Sequence, residues 1–395
     1  MRIAQINAVC GSGSTGKICI SFSKLLNERN IENRIYYTQG CSSVPQGVKY
    51  SDEKYKKIQA LQSRVFGNWG FNSNGATEKL IKYLDEFKPD RVLVHNIHAH
   101  DCNIQTLFEY LQENKIKVFW LFHDCWAFTA YCTHFMYEKC TKWENGCEKC
   151  PKFREASWFT DRSQYLYAQK KKLFTSVDLT VITPSRWMAE NVKQSFLKEK
   201  PVYVIHNGID LEVFRPTIGG FREKYGLDDR FVILGVSSLW TEKKGVDVFV
   251  RLSEALDPRY QIVLVGTDRR TDRQLPPGVI SIHRMTDAES LAQIYSAADV
   301  FVNPTREDNY PTVNLEAIAC GTPVITFDTG GCRETVPDGC GIILGDCSTD
   351  ELTNAIKKVE SERQQFKSAC IRARERLSDK LRYEEVIELL CKKEA

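Results

Sequence analysis

The sequence of 395 residues predicts an α/β protein that contains two doubly wound parallel sheets. Short apolar runs alternate with longer amphipathic stretches along the chain, and this alternation is typical of parallel strands joined by helices. The strand candidates form two series of about six each, and the chain is long enough for two domains of about 150–200 residues. No apolar run approaches the ~18 residues that a transmembrane helix needs.

The two series of strands lie on either side of a turn signal at Asn207-Gly208. The predicted strands are Ile3–Ala8, Arg34–Tyr37, Arg91–Val94, Val118–Phe122, Leu179–Thr183 and Val202–Ile205, followed by Phe231–Val236, Gln261–Val265, Val279–His283, Val300–Val302, Val324–Phe327 and Gly341–Leu344. Between strands, the segment Thr77–Phe87 has the apolar spacing of a helix. We therefore predict one domain over 1–205 and a second over 206–377, with a last helix, about 378–395, that packs back on the first.

Composition and charge are ordinary for a soluble globular protein. Hydrophobic residues make up 42% and charged residues 27%, and a net charge of +3 is too small to indicate a nucleic-acid partner. The fifteen cysteines are scattered and odd in number, and Met1 is followed directly by what reads as a buried strand rather than a signal peptide. We therefore expect a reducing, cytoplasmic location, with attachment at the inner face of the membrane as an open alternative.

The segment from Asn303 to Ile325 carries the strongest functional signal. An apolar strand runs into a polar loop, a helix is predicted from about Thr312, and a second apolar strand follows. The amides at a helix N-terminus bind anions, and carboxylates such as Asp308 and Glu316 bind hydroxyls. The segment therefore predicts a site for a phosphate attached to a sugar, although an acid near a helix start also stabilises the helix by itself.

This segment resembles the donor site of the retaining, nucleotide-sugar glycosyltransferases of family 4, once called group 1. In that family two acidic residues flank the helix start, and Asp308 and Glu316 reproduce their spacing with seven residues between them. Asp308 stands where the family normally has Glu, and Glu307 precedes it. The flanking runs Ala297-Ala-Asp-Val-Phe and Ala319-Cys-Gly-Thr-Pro-Val belong to the same pattern, and the resemblance is clearest from about 200 to 335 and in the N-terminal loop.

The resemblance implies the GT-B fold, two Rossmann-like domains that face each other across a cleft, with the acceptor on the first domain and a UDP- or GDP-sugar on the second. It implies a metal-independent transfer with retention, by front-face attack, in capsule, exopolysaccharide or lipopolysaccharide assembly. Asp308 is expected to act on the transferred sugar and Glu316 to hold the ribose. The backbone that is expected to hold the sugar and diphosphate comprises Asn309, Tyr310, Pro311, Thr312 and Val313, while Arg284 and Met285 are candidates for contact with the base.

A basic partner for the leaving diphosphate is expected at Lys244, which the family pairs with a following glycine, here Gly245. Positive charge at that point matters most in the transition state, when the diphosphate departs. The family usually has an Arg five residues earlier, and this chain has Leu239. The candidates for the missing function are Lys243, Arg306, Arg333 and the backbone around Ser237 and Ser238, of which Ser238 is a predicted donor contact.

The glycine-rich run Gly11-Ser-Gly-Ser-Thr-Gly-Lys17 follows the first predicted strand. It matches the G-x-x-x-x-G-K part of a P-loop, but Ile18 occupies the position of the hydroxyl that ligates magnesium. A glycine turn lets a backbone approach a ligand closely, and the resemblance places Gly16 nearest the donor phosphates. A glycine turn that merely connects strand to helix is the alternative.

Histidines stand at the ends of two predicted strands in the first half. In the family a histidine at the place of His123 contacts the transferred sugar, and we expect Asp124 to orient it. His95 and His98 end the preceding strand and are candidates for the acceptor pocket. A structural role at a strand end is the alternative for all three histidines.

Five cysteines fall close together between positions 125 and 150, and the last two have the spacing of a zinc knuckle. A structural zinc held by Cys132, Cys140, Cys147 and Cys150 is one hypothesis. Reduced, buried cysteines, or a redox or disulfide role, are the others. No Asp-x-Asp metal motif stands at a strand end.

Aromatic residues adjoin a run of lysines between Trp158 and Phe174, which is typical of a helix that lies on an anionic membrane. A solvated helix packed by Leu173 and Phe174 is the alternative. Peripheral membrane contact would suit a lipid-linked glycan acceptor. Three other functions stay open: a GT-B sugar-nucleotide epimerase, a P-loop NTPase, and a non-catalytic sugar-nucleotide-binding protein.

Overall fold

The computed structural model describes residues 1–283, 285, 287–345 and 348–392. Arg284, one of the candidates for base contact, lies outside the described residues. The chain divides into two compact units. The first comprises Met1–Ile205 and the segment that begins at Tyr383, and the second comprises His206–Arg382.

The first unit is built on a parallel sheet of seven strands in the order β5-β3-β1-β6-β7-β8-β9, beside which β2 and β4 form a small second sheet. The strands are β1 Arg2–Ile6, β2 Val9–Cys10, β3 Glu32–Tyr37, β4 Gln39–Gly40, β5 Gly47–Lys49, β6 Arg91–Val94, β7 Lys117–Leu121, β8 Leu179–Thr183 and β9 Val202–Val204. The helices that connect them are α1 Gly13–Glu28, α2 Glu53–Phe66, α3 Asn74–Phe87, α4 Ile104–Glu113, α5 Phe153–Ala156, α6 Ser163–Ser176 and α7 Arg186–Gln194.

Both faces of this sheet are covered because its strands carry apolar side chains on both sides. Along β1, Ile3 joins the apolar cluster that α1 contributes to, while Ala4 and Ile6 join the cluster on the other face. Helix α4 shows how the sequence sets this packing. Its N-cap residue is Asn103, whose side-chain oxygen accepts from the Gln105 and Thr106 amides. Its apolar residues at helical spacing, Ile104, Leu107, Phe108 and Leu111, are buried.

The second unit is built on a parallel sheet of six strands in the order β12-β11-β10-β13-β14-β15. The strands are β10 Phe231–Val236, β11 Tyr260–Thr267, β12 Ile280–His283, β13 Val300–Asn303, β14 Val324–Phe327 and β15 Gly341–Leu344. The helices are α8 Phe221–Tyr225, α9 Val246–Ala255, α10 Arg269–Asp272, α11 Ala288–Ala297, α12 Thr312–Ala319, α13 Thr349–Ser361 and α14 Arg363–Ala373, and the last helix of the chain is α15 Asp379–Cys391.

From Tyr383 onward the last helix belongs to the first unit. The Tyr383 ring lies 4.6 Å from that of Phe22 on α1, and Val386, Ile387 and Leu390 are buried in the same apolar cluster. The Arg91 guanidinium donates to the carbonyls of Leu390 and Lys392, and the second of these hydrogen bonds measures 2.9 Å. This side of the first sheet is therefore closed by the C-terminal segment of the chain.

The doubly wound α/β fold predicted from the sequence is confirmed, with strand ends that shift by one or two residues. The first strand ends at Ile6, not Ala8, because the Asn7 side chain donates to the Val9 carbonyl at 2.7 Å and accepts from the Asn96 amide at 3.1 Å. These bonds turn the chain away from the sheet. Strands β2, β4 and β5 were not predicted, since each is only two or three residues long.

Candidate active site

Strand order locates a binding site in each unit. In the second sheet, β11 and β12 lie on one side of β10, and β13, β14 and β15 lie on the other. In open parallel sheets ligands bind beyond the carboxyl ends of the strands at the point where the order reverses. That point lies between β10 and β13, so the loops that follow these two strands should carry the site.

The loop after β13 leads into α12, whose first residue is Thr312, as the sequence predicts. Buried Asn314 fixes this helix in place: its amide oxygen accepts from Asn303 at 2.9 Å, and its nitrogen donates to Thr335 at 2.7 Å. The first amides of a helix have no acceptor within it. Pro311 has no N–H to donate, so the amides of Thr312 and Val313 are the donors that α12 can offer an anion.

Lys244 and Asp308 form the charged centre of this region. The Lys244 ammonium nitrogen lies 2.7 Å from Asp308 Oδ2 and donates to the Glu307 carbonyl at 3.3 Å. The other carboxylate oxygen of Asp308 accepts from the Tyr310 amide at 3.3 Å. Both charged side chains are partly exposed, at 34% and 22%. The structure thus brings two predicted site residues together, and the pair lies at the start of α12.

The other basic candidates are already engaged in ion pairs. Lys243 lies 3.1 Å from Glu307, and Arg306 forms two hydrogen bonds of 2.7 Å to Asp247. Arg333 forms two hydrogen bonds to Asp328. The Leu239 side chain is exposed, and the loop around it is held by hydrogen bonds between the Ser237 hydroxyl and the Leu239 backbone. Ser238, the predicted donor contact, is exposed in that loop.

The remaining predicted donor residues differ in their accessibility. Glu316 is half-buried, and the Tyr295 hydroxyl donates to its Oε2 at 3.0 Å. Burial and the charge of Glu316 raise the pKa of Tyr295 well above its usual value. Tyr310 is buried and its ring stacks on that of His206 with a centroid distance of 5.2 Å, and Asn309 is buried as well. The side chains of Asn309 and Tyr310 therefore shape the loop, while Thr312 and Val313 remain half-buried.

Two glycines hold the site loops at close approach. Gly245 has a φ of +76°, and a Cβ there would lie 2.4 Å from the Pro304 carbonyl oxygen. Gly266 has a φ of +85°, and a Cβ there would lie 1.7 Å from the Ser237 carbonyl oxygen. Only glycine fits these positions. Gly245 was predicted as the partner of Lys244, whereas Gly266 was not predicted, because an isolated glycine near a strand end gives no sign of what it contacts.

In the first unit the strand order reverses between β1 and β6, so the loops after these strands should carry a second site. The glycine-rich run Gly11–Lys17 follows β2 and contains the first turn of α1. Gly16 lies within that helix, and a Cβ there would come within 3.1–3.3 Å of Val9, Cys10 and Gly11. A larger residue at Gly16 would therefore be crowded where α1 packs on the backbone before it, which is a structural reason for the glycine apart from any ligand.

His123 belongs to a hydrogen-bonded series that begins on β1. The Gln5 amide nitrogen donates to the Cys19 carbonyl at 3.2 Å, which directs the Gln5 amide oxygen to His95 Nε2 at 3.3 Å. His95 Nε2 is then the protonated nitrogen, and His95 Nδ1 accepts from His123 Nε2 at 3.3 Å. Burial lowers the pKa of His123 to about 4. The network therefore assigns a neutral His123 whose Nδ1 is a hydrogen-bond acceptor.

Asp124 contacts a different histidine from the one expected. Its Oδ2 lies 2.7 Å from His98 Nε2, while its Oδ1 accepts from the Trp126 amide at 2.9 Å. Burial by itself would lower the pKa of His98, but the charge of Asp124 and the hydrogen bond raise it overall. Burial likewise acts to raise the pKa of Asp124, and the His98 partner outweighs it and lowers that pKa. Asp124 therefore positions His98, and the role of orienting His123 falls to His95.

Lys170 on α6 is a residue whose position the sequence analysis missed. Its ammonium group is fully buried and donates to three carbonyls, those of Trp126, Thr129 and Ala130, at 2.8, 3.0 and 3.2 Å. The nitrogen also lies 3.2 Å from the centre of the Trp126 ring. Lys170 thereby fixes the segment that follows His123 and Asp124. In the sequence it stands within a run of three lysines, which gave no sign that one of them is buried.

The four cysteines of the predicted zinc site line one small cavity of about 20 Å³. Across the residues that the structure describes, no group of three or more His, Cys, Asp or Glu side chains is arranged to hold a metal ion. The hydrogen bond between the Cys132 and Cys150 thiols raises the pKa of Cys132 and lowers that of Cys150. The structure therefore does not support the zinc hypothesis, and the free, partly buried thiols fit the reduced alternative.

The helix that was considered for membrane contact, α6, is packed into the first unit. Leu166, Leu173 and Phe174 are buried on it, which favours the alternative of a solvated helix with an apolar inner face. Within the described part of the chain, none of the helices combines the length and the apolar character that crossing a bilayer requires.

Comparison with known protein families assigns the chain. The sequence profile described as Glycosyltransferase Family 4 matches residues 16–213, slightly more than half of the chain, and the profile described as Glycosyl transferases group 1 matches residues 230–362. The chain belongs to glycosyltransferase family 4. The resemblance noted at Asp308 and Glu316 is thereby confirmed at the level of the family.

This glycosyltransferase has full-length and partial relatives. WcaC of Escherichia coli K12, named for glycosyl transfer in colanic acid biosynthesis, is 23% identical over 361 residues, which cover 86% of each chain. The alpha-maltose-1-phosphate synthase of Mycolicibacterium smegmatis is 28% identical over 234 residues, 53% of this chain and 60% of that protein. The chain thus aligns with WcaC over most of its length and with the maltose-1-phosphate synthase over about half of its length.

Solved structures show that this glycosyltransferase has the GT-B fold. Sucrose-phosphate synthase from Thermosynechococcus elongatus superposes with a TM-score of 0.72 at 17% identity and 98% coverage of both chains. Anabaena HepE in complex with UDP-glucose gives 0.70 at 15% identity and 99% coverage of both chains. WaaG, a glycosyltransferase involved in lipopolysaccharide biosynthesis, gives 0.70 at 15% identity and covers 99% of this chain and 100% of its own.

The family assignment also decides against the P-loop alternative for this glycosyltransferase. In the structure Gly13 already begins α1, and Gly16 and Lys17 are helical. Ile18, at the position where a P-loop presents a magnesium-binding hydroxyl, is buried. The run is therefore a strand-to-helix connection of a Rossmann-like unit and does not carry the complete P-loop motif.

Proposed function

We propose that this enzyme transfers a sugar, with retention of anomeric configuration and without a metal ion, from a UDP- or GDP-sugar to a hydroxyl group of a glycan acceptor. The observation that carries the proposal is the ion pair between Lys244 and Asp308 at the start of α12. It combines a cation for phosphate, a carboxylate for sugar hydroxyls and a helix N-terminus at the point where the strand order reverses.

The donor diphosphate is proposed to bind at Lys244 and at the amides of Thr312 and Val313. An ammonium group has three N–H donors, and in the structure Asp308 and the Glu307 carbonyl accept two of them. A phosphate oxygen would bind the ammonium group in place of the Asp308 carboxylate, which is thereby released toward the sugar hydroxyls. Charge-assisted hydrogen bonds of this kind contribute about 1.5–3 kcal/mol each.

Asp308 is proposed to accept from hydroxyls of the transferred sugar, and Glu316 from the ribose. Tyr295 already donates to one oxygen of Glu316 at 3.0 Å. That hydrogen bond fixes the rotamer of Glu316, so that its carboxylate has a defined direction. Ser238 and the Gly16 backbone are proposed as further contacts of the donor.

Lys244 is also proposed to stabilise the leaving group, because negative charge develops on the diphosphate as the glycosidic bond to it breaks. A fixed cation can supply the stabilisation that other enzymes obtain from a divalent ion. His123 is proposed to contact the transferred sugar. Since His123 is assigned as a neutral imidazole, it would hold the sugar in place rather than donate a proton to the leaving group.

The acceptor is proposed to be a growing glycan of capsule, exopolysaccharide or lipopolysaccharide type, attached to a lipid. Support comes from the colanic acid relative WcaC and the lipopolysaccharide enzyme WaaG. The UDP-glucose complex of HepE supports a nucleotide sugar as the donor class.

A thermal-shift screen tests the donor site first. UDP, GDP, ADP and their common sugars are compared without added metal, and a ligand of the folded state raises the melting temperature by mass action. We expect one base to stand out. Lys244→Met should weaken that nucleotide's binding about tenfold to a hundredfold, while Lys357→Met, at an exposed lysine of α13, should leave it unchanged.

Transfer assays then separate the proposal from its alternatives. Incubation with the selected sugar nucleotide and a lipid-linked glycan should yield an extended glycan, and the anomeric proton coupling of the product should match that of the donor. An epimerised nucleotide with no acceptor needed would instead identify an epimerase. Tight binding with neither hydrolysis nor transfer would identify a non-catalytic binding protein, and loss of activity in chelator would refute metal independence.

A further inference from the structure

A pocket at the edge of the first sheet shares no residue with the proposed donor site. It has a volume of about 440 Å³ and is lined by residues 49–52 and 55, which run from the end of β5 into α2, and by Gly75, Ala76 and Lys79 of α3. Small-molecule sites typically occupy about 300–1,000 Å³. The Tyr50 amide donates to the Tyr37 carbonyl at 3.0 Å, which anchors the pocket where β3 and β5 end. We name it the Lys49–Lys79 pocket.

Tyr50 is the most deeply buried residue of the Lys49–Lys79 pocket. It is 2% exposed, and its hydroxyl makes no hydrogen bond with any residue that the structure describes. Burial, together with nearby Asp101 and Cys102, raises the pKa of Tyr50 well above its usual value, so the hydroxyl stays protonated and can donate. A buried hydroxyl without a partner destabilises the folded state. Tyr50 therefore offers the pocket a donor that the protein itself does not use.

Helix α3 presents its N-terminal backbone to the same pocket. The helix has fourteen residues, none of its first-turn residues is acidic, and its N-cap residue Ser73 makes no side-chain capping bond. Across the described chain, the amides of Asn74 and Gly75 have no acceptor. A Cβ at Gly75 would meet only the Tyr55 hydroxyl, at 3.5 Å, so this backbone is open to a ligand. The positive end of the helix dipole is thus available to an anion.

Two lysines supply positive charge to the pocket. Lys49 and Lys79 are exposed, and neither forms an ion pair with a carboxylate of the part of the chain that the structure describes. Asp52 carries the negative charge of the lining, and its Oδ1 accepts from the Tyr55 amide at 2.9 Å. Cations therefore outnumber carboxylates in the pocket, which favours an anionic ligand.

We propose that the Lys49–Lys79 pocket binds the phosphate group of a phosphorylated sugar. Its donors are the Tyr50 hydroxyl, the Gly75 amide and the two ammonium groups, and lysines and helix N-termini are common ligands of phosphate. A phosphate group alone fills only part of the pocket. The oxygens of Ser51 and Asp52 are acceptors for hydroxyl groups, which a sugar would place beside its phosphate.

Two sources carry this chemistry, a free sugar phosphate and a phosphorylated residue of a glycan. The proposal concerns the first unit alone, and it does not depend on the donor site at Lys244. Its failure and the failure of the proposed function are therefore separate results.

Isothermal titration calorimetry of the full chain tests the proposal. The probes are inorganic phosphate, glucose, glucuronic acid, and the 1- and 6-phosphates of glucose, galactose and mannose. We expect the phosphates to bind and glucose to give no heat of binding. At least one sugar phosphate should bind about tenfold or more tighter than inorganic phosphate, because its hydroxyls add hydrogen bonds.

Two variants of the pocket should weaken binding of that sugar phosphate. Tyr50→Phe removes one donor to a charged group and should cost about tenfold or more in affinity. Its melting temperature should not fall, because the hydroxyl has no partner in the free protein to leave unsatisfied. Lys49→Gln with Lys79→Gln should also cost about tenfold or more and should reduce the dependence of binding on salt.

Matched variants outside the pocket serve as controls. Lys54→Gln with Lys57→Gln removes exposed lysines of α2 that do not line the pocket, and Tyr165→Phe changes an exposed tyrosine of α6. Both should bind the sugar phosphate as the wild type does, and so should Lys244→Met. The double variant at Lys49 and Lys79 should in turn keep the nucleotide response of the thermal-shift screen.

Competition in the transfer assay separates the two sources. A sugar phosphate that raises the KM of the glycan acceptor in the wild type but not in Tyr50→Phe would identify a phosphorylated residue of the glycan. An unchanged KM would identify a free sugar phosphate, and either result upholds the site.

Four results would overturn the proposal. The wild type gives no heat with any phosphate, or glucuronic acid binds as tightly as the best sugar phosphate. Binding is lost in Lys244→Met and kept in Tyr50→Phe, which would transfer it to the donor site. A lowered melting temperature of Tyr50→Phe would show that the hydroxyl has a partner inside the protein.

Discussion

Lys170→Met should reduce the free energy of unfolding of the first unit by about 2–4 kcal/mol. The wild-type ammonium group is fully buried on α6 and donates to the carbonyls of Trp126, Thr129 and Ala130. Methionine keeps an unbranched chain of similar length, so the volume stays filled and the cost of a cavity is small. What is lost is the hydrogen bonding of three buried acceptors.

The magnitude follows from those three acceptors. An intramolecular hydrogen bond contributes about 0.5–1.5 kcal/mol net, and a buried acceptor left without a donor costs about 1–3 kcal/mol. Part of this loss is offset because a buried amine is costly in itself. Burial lowers the pKa of Lys170 well below its usual value, and the nearby Cys147, Asp124 and Cys132 oppose this shift only in part. The net effect is therefore smaller than the sum of three lost acceptors.

The sign of the pH dependence follows from the lowered pKa. Between the folded pKa of Lys170 and the unfolded value near 10.4, the unfolded chain binds more protons than the folded chain. Lys170 therefore adds stability as the pH rises through that window. The difference in unfolding free energy between wild type and Lys170→Met should grow as the pH is raised from 7 toward 10.

Chemical denaturation, followed by near-ultraviolet circular dichroism and by hydrogen exchange of the amides around 126–130, provides the measurement. Because the chain contains two units, the exchange data are needed to assign the change to the first. Lys171→Met, at the exposed neighbour, is the control and should change stability by no more than about 0.5 kcal/mol. Equal stabilities of the two variants would refute the role assigned to Lys170.

Three further predictions concern the sites. Gly245→Ala should destabilise the second unit by about 2 kcal/mol or more in denaturation experiments, because its φ is +76° and the added Cβ would lie 2.4 Å from a carbonyl oxygen. Asp124→Asn should lower the melting temperature most near pH 5–6. The ion pair between Asp124 and His98 is fully formed there, because this range lies above the unfolded Asp pKa of about 3.9 and below the unfolded His pKa of about 6.5. Its contribution to stability fades as rising pH deprotonates His98 in the folded state. A difference in melting temperature between wild type and Asp124→Asn that does not change with pH would contradict this. Gln5→Leu should reduce kcat about tenfold or more with little change in the donor KM, because the tautomer of His123 would no longer be fixed. An unchanged kcat in steady-state assays would show that the hydrogen bonds from Gln5 through His95 to His123 have no part in catalysis.

The fold could be predicted from the sequence because parallel strands that are buried on both faces read as short, continuous apolar runs. Runs such as Val92 to Val94 and Val300 to Val302 are typical of such strands, and both lie buried in the two sheets. The strands that were missed are edge or satellite strands, such as Gly47–Lys49, none of whose residues is fully buried. A strand of two or three residues has too few positions to show a periodicity.

The site could be predicted only in part. Lys244, Asp308 and Glu316 were predicted because they stand with family spacing around a helix start, and the structure places Lys244 beside Asp308. The hydrogen-bond partners of these side chains could not be predicted. The Tyr295 hydroxyl that donates to Glu316, for example, comes from a helix and stands 21 residues earlier in the chain. The same limit applies to Asp124, whose sequence neighbour is His123 but whose carboxylate contacts His98. Hydrogen bonds between separate loops leave no trace in residue spacing.

The departures from the family pattern at Leu239 and Asp308 are physically related. With Leu239 in place of an arginine, the region has one cation fewer for the diphosphate, and Lys243 and Arg306 are held by Glu307 and Asp247. In the proposed function Lys244 is then the cation for the phosphate, and in the structure Asp308 is its partner at 2.7 Å. A bound diphosphate would compete with Asp308 for the ammonium group and release the carboxylate toward the sugar hydroxyls. Donor binding on this account exchanges one ion pair for another, so that the carboxylate becomes available only when a phosphate is present to replace it.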